Sequence, residues 1–345
     1  MPPLTIASLG RFTSKSVAQF RLLRRNPEQF LRNIQQFTDP PAFLDRLLDI
    51  PEIPQLRVEV SHSAVVTLNV LLPSIERHGM TGGPNTVLLI GAHLAHSGVP
   101  VRFISCNVPL SSDTDWFWTH LEHLTGVPGR PIRATLEDAC TIPLQIGASD
   151  LFLASFWTTA HQAASVLPKT RRSRFVYLIQ DFEPGFYAWS SHYALALSSL
   201  DLHFYALINE SSLAEFLFES RVGRFMNPDF RSCCTVFEPS INRDLFKPVI
   251  MTKRSQRLLV YARPTNPRNL LGLAVAALKM AAATPAFAGN WEFLAIGARG
   301  SLPPVPLGNG RVLQEAPWQD LAGYARLLQT SDILLSPMLS PHTGY

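Results

Sequence analysis

The chain has 345 residues, 46% of them hydrophobic and 16% charged, with a formal net charge of +4. That is material for two ordinary domains with sizeable cores, and too apolar for a disordered chain. Its apolar runs, such as 270–283, fall short of the roughly 20 residues that cross a bilayer, and no basic start leads into an apolar stretch, so neither a membrane-spanning helix nor a secretory leader is expected and the default location is cytoplasmic.

Residues 1–60 read as a helical extension. Phe12, Val17, Phe20, Leu23, Phe30, Ile34 and Phe37 are spaced loosely as on one or two amphipathic helices, Pro27 restarts the pattern, and Pro40, Pro41, Pro51 and Pro54 bracket a short helix over 42–48. Such an extension suits packing across a lobe, a subunit contact in a homo-oligomer, or a membrane surface, in that order of preference.

From Ala64 the pattern changes to alternating strands and helices. The β-branched, apolar run 64–72 reads as a central parallel strand, and Gly82-Gly83-Pro84 opens a helix to about His96. A strand over 101–105 and a helix over 113–124 follow, the latter with an apolar stripe of Trp116, Phe117, Leu121 and Leu124. Strands are expected at 151–154 and 175–179, each followed by helical pattern, then a strand at 203–208, a helix at 211–218 and a short strand at 234–237. Residues 239–257, with Pro239 and Pro248, form the expected linker. The rhythm restarts with a strand at 257–261, a helix at 270–283, a strand at 291–296, a Gly/Pro-rich loop at 297–310, a strand at 311–313, a helix at 321–329 and a strand at 332–335. The reading is an α/β chain with a helical extension (1–60) and two successive Rossmann-like units, 61–248 and 249–345, with a ligand cleft between them. The second unit is short and ends on a strand without a covering helix, so a truncated second domain is expected.

Ligands of open parallel sheets bind beyond the carboxyl ends of the strands. The Gly82-Gly83 loop lies at such a place, before a helix whose free amides attract a phosphate, and it serves either a ligand or a plain tight turn. It is neither a dinucleotide fingerprint nor a P-loop. Gln180-Asp-Phe-Glu-Pro-Gly-Phe-Tyr-Ala-Trp189 begins where a strand ends and sets Asp181 and Glu183 among aromatics. A carboxylate there can act as a base toward a hydroxyl or bind sugar hydroxyls, and aromatic faces suit the apolar faces of sugars. The plainer alternative makes Asp181 a helix cap and the aromatics wall residues. Arg263 and Arg268 bracket Pro264-Thr-Asn-Pro267 after the first strand of the second unit, a pairing suited to a diphosphate, with a surface salt bridge the plainer alternative for Arg263, and Arg299 lies in a similar loop, Gly297-Ala-Arg-Gly300. The four cysteines, Cys106, Cys140, Cys233 and Cys234, and the ten scattered histidines show no metal-ligand spacing, so free, mostly buried thiols and no bound metal are expected. Basic clusters at Arg21, Arg24 and Arg25 and at Lys169, Arg171, Arg172 and Arg174 suit a solvated face, or an anionic or lipid partner.

The segments 175–187, Tyr261-Ala-Arg-Pro-Thr-Asn-Pro-Arg268 and Leu334-Leu-Ser-Pro-Met-Leu-Ser-Pro-His-Thr-Gly-Tyr345 resemble rhamnosyltransferase-type glycosyltransferases of bacterial polysaccharide and surface-glycan synthesis, in the GT-B class and similar to GT4 members. The resemblance runs from about residue 64 to the end. It implies a nucleotide-diphosphate sugar donor, with dTDP-rhamnose one candidate, held mostly by the second unit, and a glycan or lipid-linked glycan acceptor held mostly by the first. It also implies inverting chemistry with no required cofactor or metal, peripheral membrane association as an option, and no nucleic-acid partner. On this pattern Gly82 and Gly83 face the donor diphosphate, Arg263 binds it with Arg268 and Arg299 as further basic groups, and Asp181 or Glu183 faces the acceptor. The family's glutamate after the last segment would lie beyond Tyr345. Two alternatives stay open, a nucleotide-sugar epimerase and a non-catalytic glycan- or nucleotide-sugar-binding protein.

Overall fold

The computed structural model describes residues 53–341, apart from 62–64, 78, 81, 239–242, 250–255, 265, 299, 301, 318 and 320. The predicted helices before residue 53 lie outside the described residues. Everything described from Pro54 onward falls in one compact unit.

The larger sheet has seven strands: β2 (Leu68–Leu72), β3 (Val101–Ser105), β4 (Ala134–Asp138), β6 (Leu151–Ala154), β7 (Phe175–Ile179), β8 (Phe204–Asn209) and β9 (Cys234–Phe237). Their order is β4-β3-β2-β6-β7-β8-β9, and every neighbouring pair is parallel. The intervening helices are α1 (Gly83–His96), α2 (Asp115–Thr125), α3 (Trp157–Val166), α4 (Ser191–Ser198) and α5 (Ser211–Glu219). A short parallel pair, β1 (Val58–Ser61) with β5 (Leu144–Gly147), stands beside it. The smaller sheet contains β10 (Gln256–Tyr261), β11 (Trp291–Ile296), β12 (Val305–Gly308), β13 (Arg311–Glu315) and β14 (Ile333–Leu335), with helices α6 (Leu271–Ala282) and α7 (Leu321–Gln329). Its order is β12-β13-β11-β10-β14, parallel except for the β12–β13 pair.

The sequence places most of these elements within a residue or two, and the exceptions have physical causes. The strand expected from Ala64 begins at Leu68, where side chains first become buried on both faces. Residues 58–60, read as the end of a helical extension, form most of β1. β4 and β5 carry polar residues and lie at a sheet edge and in a two-stranded pair, so they lack the apolar density of a central strand. The predicted loop 297–310 contains β12, whose Pro306 is tolerated because the strand is an edge. The thiols are free as expected, but only Cys106 is fully buried. Cys140 follows edge strand β4, while Cys233 and Cys234 sit at edge strand β9, and all three are half-buried.

The large sheet carries one core on each face. Leu71, Ile104, Phe152, Tyr177 and Phe204 belong to one, and Val70, Phe103, Phe117, Leu153 and Leu178 to the other. Alternate residues of the same strand thus point to opposite cores, as a period of two requires. Buried polar groups within this framework are matched to partners. Asp150 accepts hydrogen bonds from the backbone of Thr67 (3.0 Å) and Gly147 (2.9 Å) and from Asn69 Nδ2 (3.3 Å), joining the entries of β2 and β6 to the end of β5.

Glu183 is also part of this framework. The residue is 6% exposed, and its Oε2 accepts from the first backbone N–H of α3, that of Trp157 (2.6 Å), and from the Tyr177 hydroxyl of β7 (3.0 Å). Burial is the largest influence on its proton and outweighs those two hydrogen bonds, pushing its pKa up to about 8. It therefore fastens the start of α3 to the end of β7 from inside the core.

Two predictions follow from this packing. Gly223 has φ +51°, and a Cβ there would lie 2.4 Å from the carbonyl oxygen of Leu200. Because that atom is backbone and cannot swing aside, Gly223→Ala is expected to cost about 2–3 kcal/mol, read as a lower urea midpoint. For Glu183, the folded chain keeps a proton that the unfolded carboxyl, with an ordinary pKa of 4.5, gives up. The folded state binds more protons between those values, so stability from this group is full below pH 4.5 and lost as pH rises toward about 8. Glu183→Gln keeps the shape and the acceptor oxygen, and should flatten the decline in unfolding free energy across that window. An unchanged slope would place its source elsewhere.

Candidate active site

In the large sheet the chain runs from β2 outward through β3 to β4, then returns to β6 on the other side of β2 and continues through β7, β8 and β9. In the small sheet it runs from β10 through β11 toward β13 and returns to β14 on the other side of β10. Each sheet thus has a switch point, at β2/β6 and at β10/β14, and a crevice opens at the carboxyl ends of such strands. The loops after β2, β7, β10 and β14 meet in this structure.

Their meeting point is Asp181, two residues past the end of β7. Asp181 is 7% exposed. Its Oδ2 accepts a charge-assisted hydrogen bond from Nη1 of Arg268, in the loop after β10. Its Oδ1 accepts from the backbone N–H of Phe182 (2.8 Å) and from the Ser340 hydroxyl (3.4 Å), in the segment after β14. That last segment is held in place because the backbone N–H of Leu339 donates to the Arg268 carbonyl (2.8 Å). The loop after β2 joins through the neighbouring side chain, since Gln180 Nε2 donates to the Gly83 carbonyl at 3.0 Å. A Cβ on Gly83 would lie 3.3 Å from that nitrogen, and Gly82 sits at φ +49°, a left-handed conformation that favours glycine.

Arg268 is the most constrained of these groups. Its guanidinium lies 4.5 Å from the centroid of the Phe186 ring, and Phe186 is stacked on Phe156 (6.3 Å). Arginine pairs with an aromatic face and a carboxylate at once because its charge is planar and weakly hydrated. Its side chain is 18% exposed, and the buried Nε has no acceptor among the described residues. A loop of 3-10 helix, Pro267–Asn269, places it, with the Asn266 side chain accepting from the Arg268 backbone N–H (3.3 Å).

Asp181, Arg268, Gly83 and, beside it, Gly82 are therefore brought to one place. Glu183 is two residues from Asp181, yet its carboxyl points into the core. Asp181 does not cap the following 3-10 helix, Glu183–Phe186, whose N-cap is Phe182 and has no side-chain cap. Among the aromatics of that stretch, Phe182 packs on Phe216 (5.2 Å) and Tyr187 accepts a hydrogen bond from Trp157 Nε1 (2.9 Å), so both are wall residues, while Trp189 is 90% exposed. Arg263 follows β10 at half burial, its carbonyl accepting from the Asn266 N–H (3.0 Å) in a tight turn. Its guanidinium makes no hydrogen bond to the described residues. Gly297 packs against Tyr261 and Ala262, which sets the loop after β11 beside that of Arg263. Arg299 itself lies outside the described residues.

Sequence reasoning missed Gln180 and Ser340 as partners of this cluster, although both lie in segments it singled out. The basic cluster is partly structural: Arg172 donates twice to the Ser149 carbonyl (3.0 and 2.7 Å), and Arg174 lies over the Tyr205 ring (5.1 Å). Among the described residues no group of three or more His, Cys, Asp or Glu side chains is arranged to hold a metal ion, and no helix is long and apolar enough to cross a membrane.

Comparison with known proteins bears on this geometry. Over 174 residues the chain is 32% identical to the O-antigen biosynthesis protein RfbC of Myxococcus xanthus, covering 48% of this chain and 12% of that protein. The chain thus spans a small part of the length of this curated relative. The crystal structure of a glycosyltransferase from Rickettsia africae ESF-5 aligns with 80% of this chain and 74% of its own, at 13% identity and a TM-score of 0.38. Residues 67–209 match the family model described as WsaF, N-terminal domain, and residues 256–345 match WsaF, C-terminal domain. Those two segments hold, respectively, Asp181 and Arg268, so the contact at the centre of the candidate site joins a stretch similar to the first WsaF domain to one similar to the second.

Proposed function

We propose that this chain is a glycosyltransferase of glycan synthesis, moving a sugar from a nucleotide-diphosphate donor to a glycan acceptor. The observation that carries the reading is the pairing of Asp181 with Arg268, which sets a carboxylate of one sheet's edge against a cation of the other's. The WsaF domain matches and the O-antigen biosynthesis relative support the same class of chemistry.

In this reading Arg263 and Arg268 hold the donor diphosphate. A diphosphate, with more charge than one carboxylate, competes for the Arg268 guanidinium and releases Asp181. Asp181 then takes the proton of an acceptor hydroxyl as its oxygen forms a bond to the anomeric carbon. The bond from that carbon to the diphosphate oxygen breaks, and the arginines and the amides at the start of α1 near Gly82 and Gly83 stabilise the charge gathering on the leaving group. One displacement inverts the anomeric carbon. The positive charge comes from side chains in this scheme, with no metal invoked, and rhamnose is the sugar we assign to the donor on the resemblance of the 175–187 and 261–268 segments.

The test is consumption of dTDP-rhamnose, UDP-glucose and GDP-mannose, each with and without rough lipopolysaccharide as acceptor. Consumption that depends on acceptor is expected. Arg263→Ala should raise the donor KM about 10- to 100-fold, as loss of a charge-assisted contact does, and Asp181→Asn should lower kcat about 10²- to 10⁴-fold. Glu183→Gln should retain turnover, since its carboxyl lies in the core. Binding of a nucleotide-sugar without consumption would favour a non-catalytic protein, and consumption without acceptor an epimerase.

A further inference from the structure

Trp189 is 90% exposed, and it is not a lone apolar residue of the kind that any surface carries. The Tyr193 ring is stacked beside it, the centroids 6.1 Å apart and the planes at 30°. Tyr187 and His192 are stacked in the same manner, at 5.2 Å and 30°. The segment leaving the 3-10 turn Glu183–Phe186 is thus joined to the first turn of α4 by two pairs of stacked rings. Both pairs are anchored. Trp157, itself 2% exposed, donates from Nε1 to the Tyr187 hydroxyl (2.9 Å), and Ser190, the N-cap of α4, accepts from the Tyr193 backbone N–H (3.3 Å). A large ring left in water on a fixed support is a preformed surface, with little ordering left to do when something binds it.

This surface is continuous with the candidate site. The Phe186 ring lies 4.5 Å from the Arg268 guanidinium, which is paired with Asp181, and Trp189 follows Phe186 by three residues, at most about 11 Å of extended chain. The chemistry of the stretch narrows what covers it. Residues 184–200 contain no Asp, Glu, Lys or Arg, so nothing in it recruits an anionic lipid surface or a nucleic acid, both of which call for basic groups. The exposed neighbours of the rings are Ala188, Ser190, Ser191 and Ala194, too small and too polar for the continuous apolar face with which a helix enters a membrane. A flat aromatic pair among small residues and hydroxyls matches a neutral ligand with one apolar face and a rim of O–H groups, which describes a sugar ring. Its C–H face meets the negative face of the indole, and its hydroxyls meet the serines.

We propose that Trp189, with Tyr193 beside it, is an acceptor-binding platform on which a sugar of the acceptor glycan stacks, beyond the sugar that takes the new bond. This rests on the transferase reading above and extends it outward from Asp181. In that reading the arginines of the smaller sheet hold the charged donor, which assigns the uncharged aromatic surface after β7 to the acceptor. Trp189 touches no reacting atom, and its part is to bind the glycan and set its register.

The full chain and its Trp189→Ala and Trp189→Phe variants would be titrated calorimetrically with the lipid-free oligosaccharide released from rough lipopolysaccharide. They would then be assayed for donor consumption with that oligosaccharide and with the intact lipopolysaccharide as acceptors. Trp189→Ala should weaken oligosaccharide binding about 10-fold and raise the acceptor KM by a similar factor for both acceptors. It should leave the donor KM at the wild-type level and melt with the wild type, because the side chain is exposed. Trp189→Phe keeps a ring and should fall between. Equal binding by the wild type and Trp189→Ala, or no binding by either, overturns the proposal. So does an effect seen with the intact lipopolysaccharide alone, which makes Trp189 a contact to lipid, or an effect on the donor KM in place of the acceptor's. Absence of donor consumption by the wild type overturns the transferase reading, while a calorimetric loss in Trp189→Ala still upholds the glycan platform, so the two failures are told apart.

Discussion

Parallel pairing is the constraint from which the rest of this structure follows. A parallel strand cannot be joined to its neighbour by a tight turn, so each connection must cross a face of the sheet, usually as a helix. In the seven-stranded sheet this covers both faces and delivers every loop that leaves a strand to the same edge. Chemistry-bearing residues distant in sequence are collected there without any of them being sequence neighbours. Asp181 after β7 and Gly83 after β2 are gathered by this geometry, and the smaller sheet does the same for Arg263, Arg268 and Ser340.

Where the two edges meet, electrostatics replaces backbone pairing. Asp181 and Arg268 are both largely out of water, and a charge so placed is tolerated only when another charge or several hydrogen bonds compensate it. Here the carboxylate has the guanidinium, a backbone N–H and a serine hydroxyl, while the guanidinium has the carboxylate and the face of Phe186. Such a contact is satisfied without a ligand, and in the proposed transferase reading the donor diphosphate competes for the guanidinium through its greater charge. The two carboxyls of the Asp181–Glu183 stretch consequently have different characters. One is at the edge and paired with a cation, the other in the core with its pKa pushed up to about 8.

Much of the architecture was legible in the sequence. Apolar, β-branched runs such as 101–105, 151–154 and 175–179 coincide with β3, β6 and β7 to the residue, and the Gly82-Gly83-Pro84 signal correctly opened α1. Central strands buried on both faces and helices with punctuated ends are written in local composition, so they can be read locally. Edge strands are not. β4, β5 and β12 carry polar residues or proline because half of their surroundings is solvent or loop, and nothing within five residues distinguishes them from a connection.

The sequence by itself determined the alternation of strand and helix and the ends of β2, β3, β6, β7, β10 and β14, and hence a short list of loops in which a site could lie. Only the tertiary structure decided which members of that list meet and which way each side chain turns. Arg268 and Asp181 stand 87 positions apart, and no local rule pairs them. Asp181 and Glu183 are chemically alike and two residues apart, yet a 3-10 turn carries one to the sheet edge and the other beneath α3. Local propensity acts over a few residues, whereas pairing, burial and strain are settled by contacts made across the whole fold.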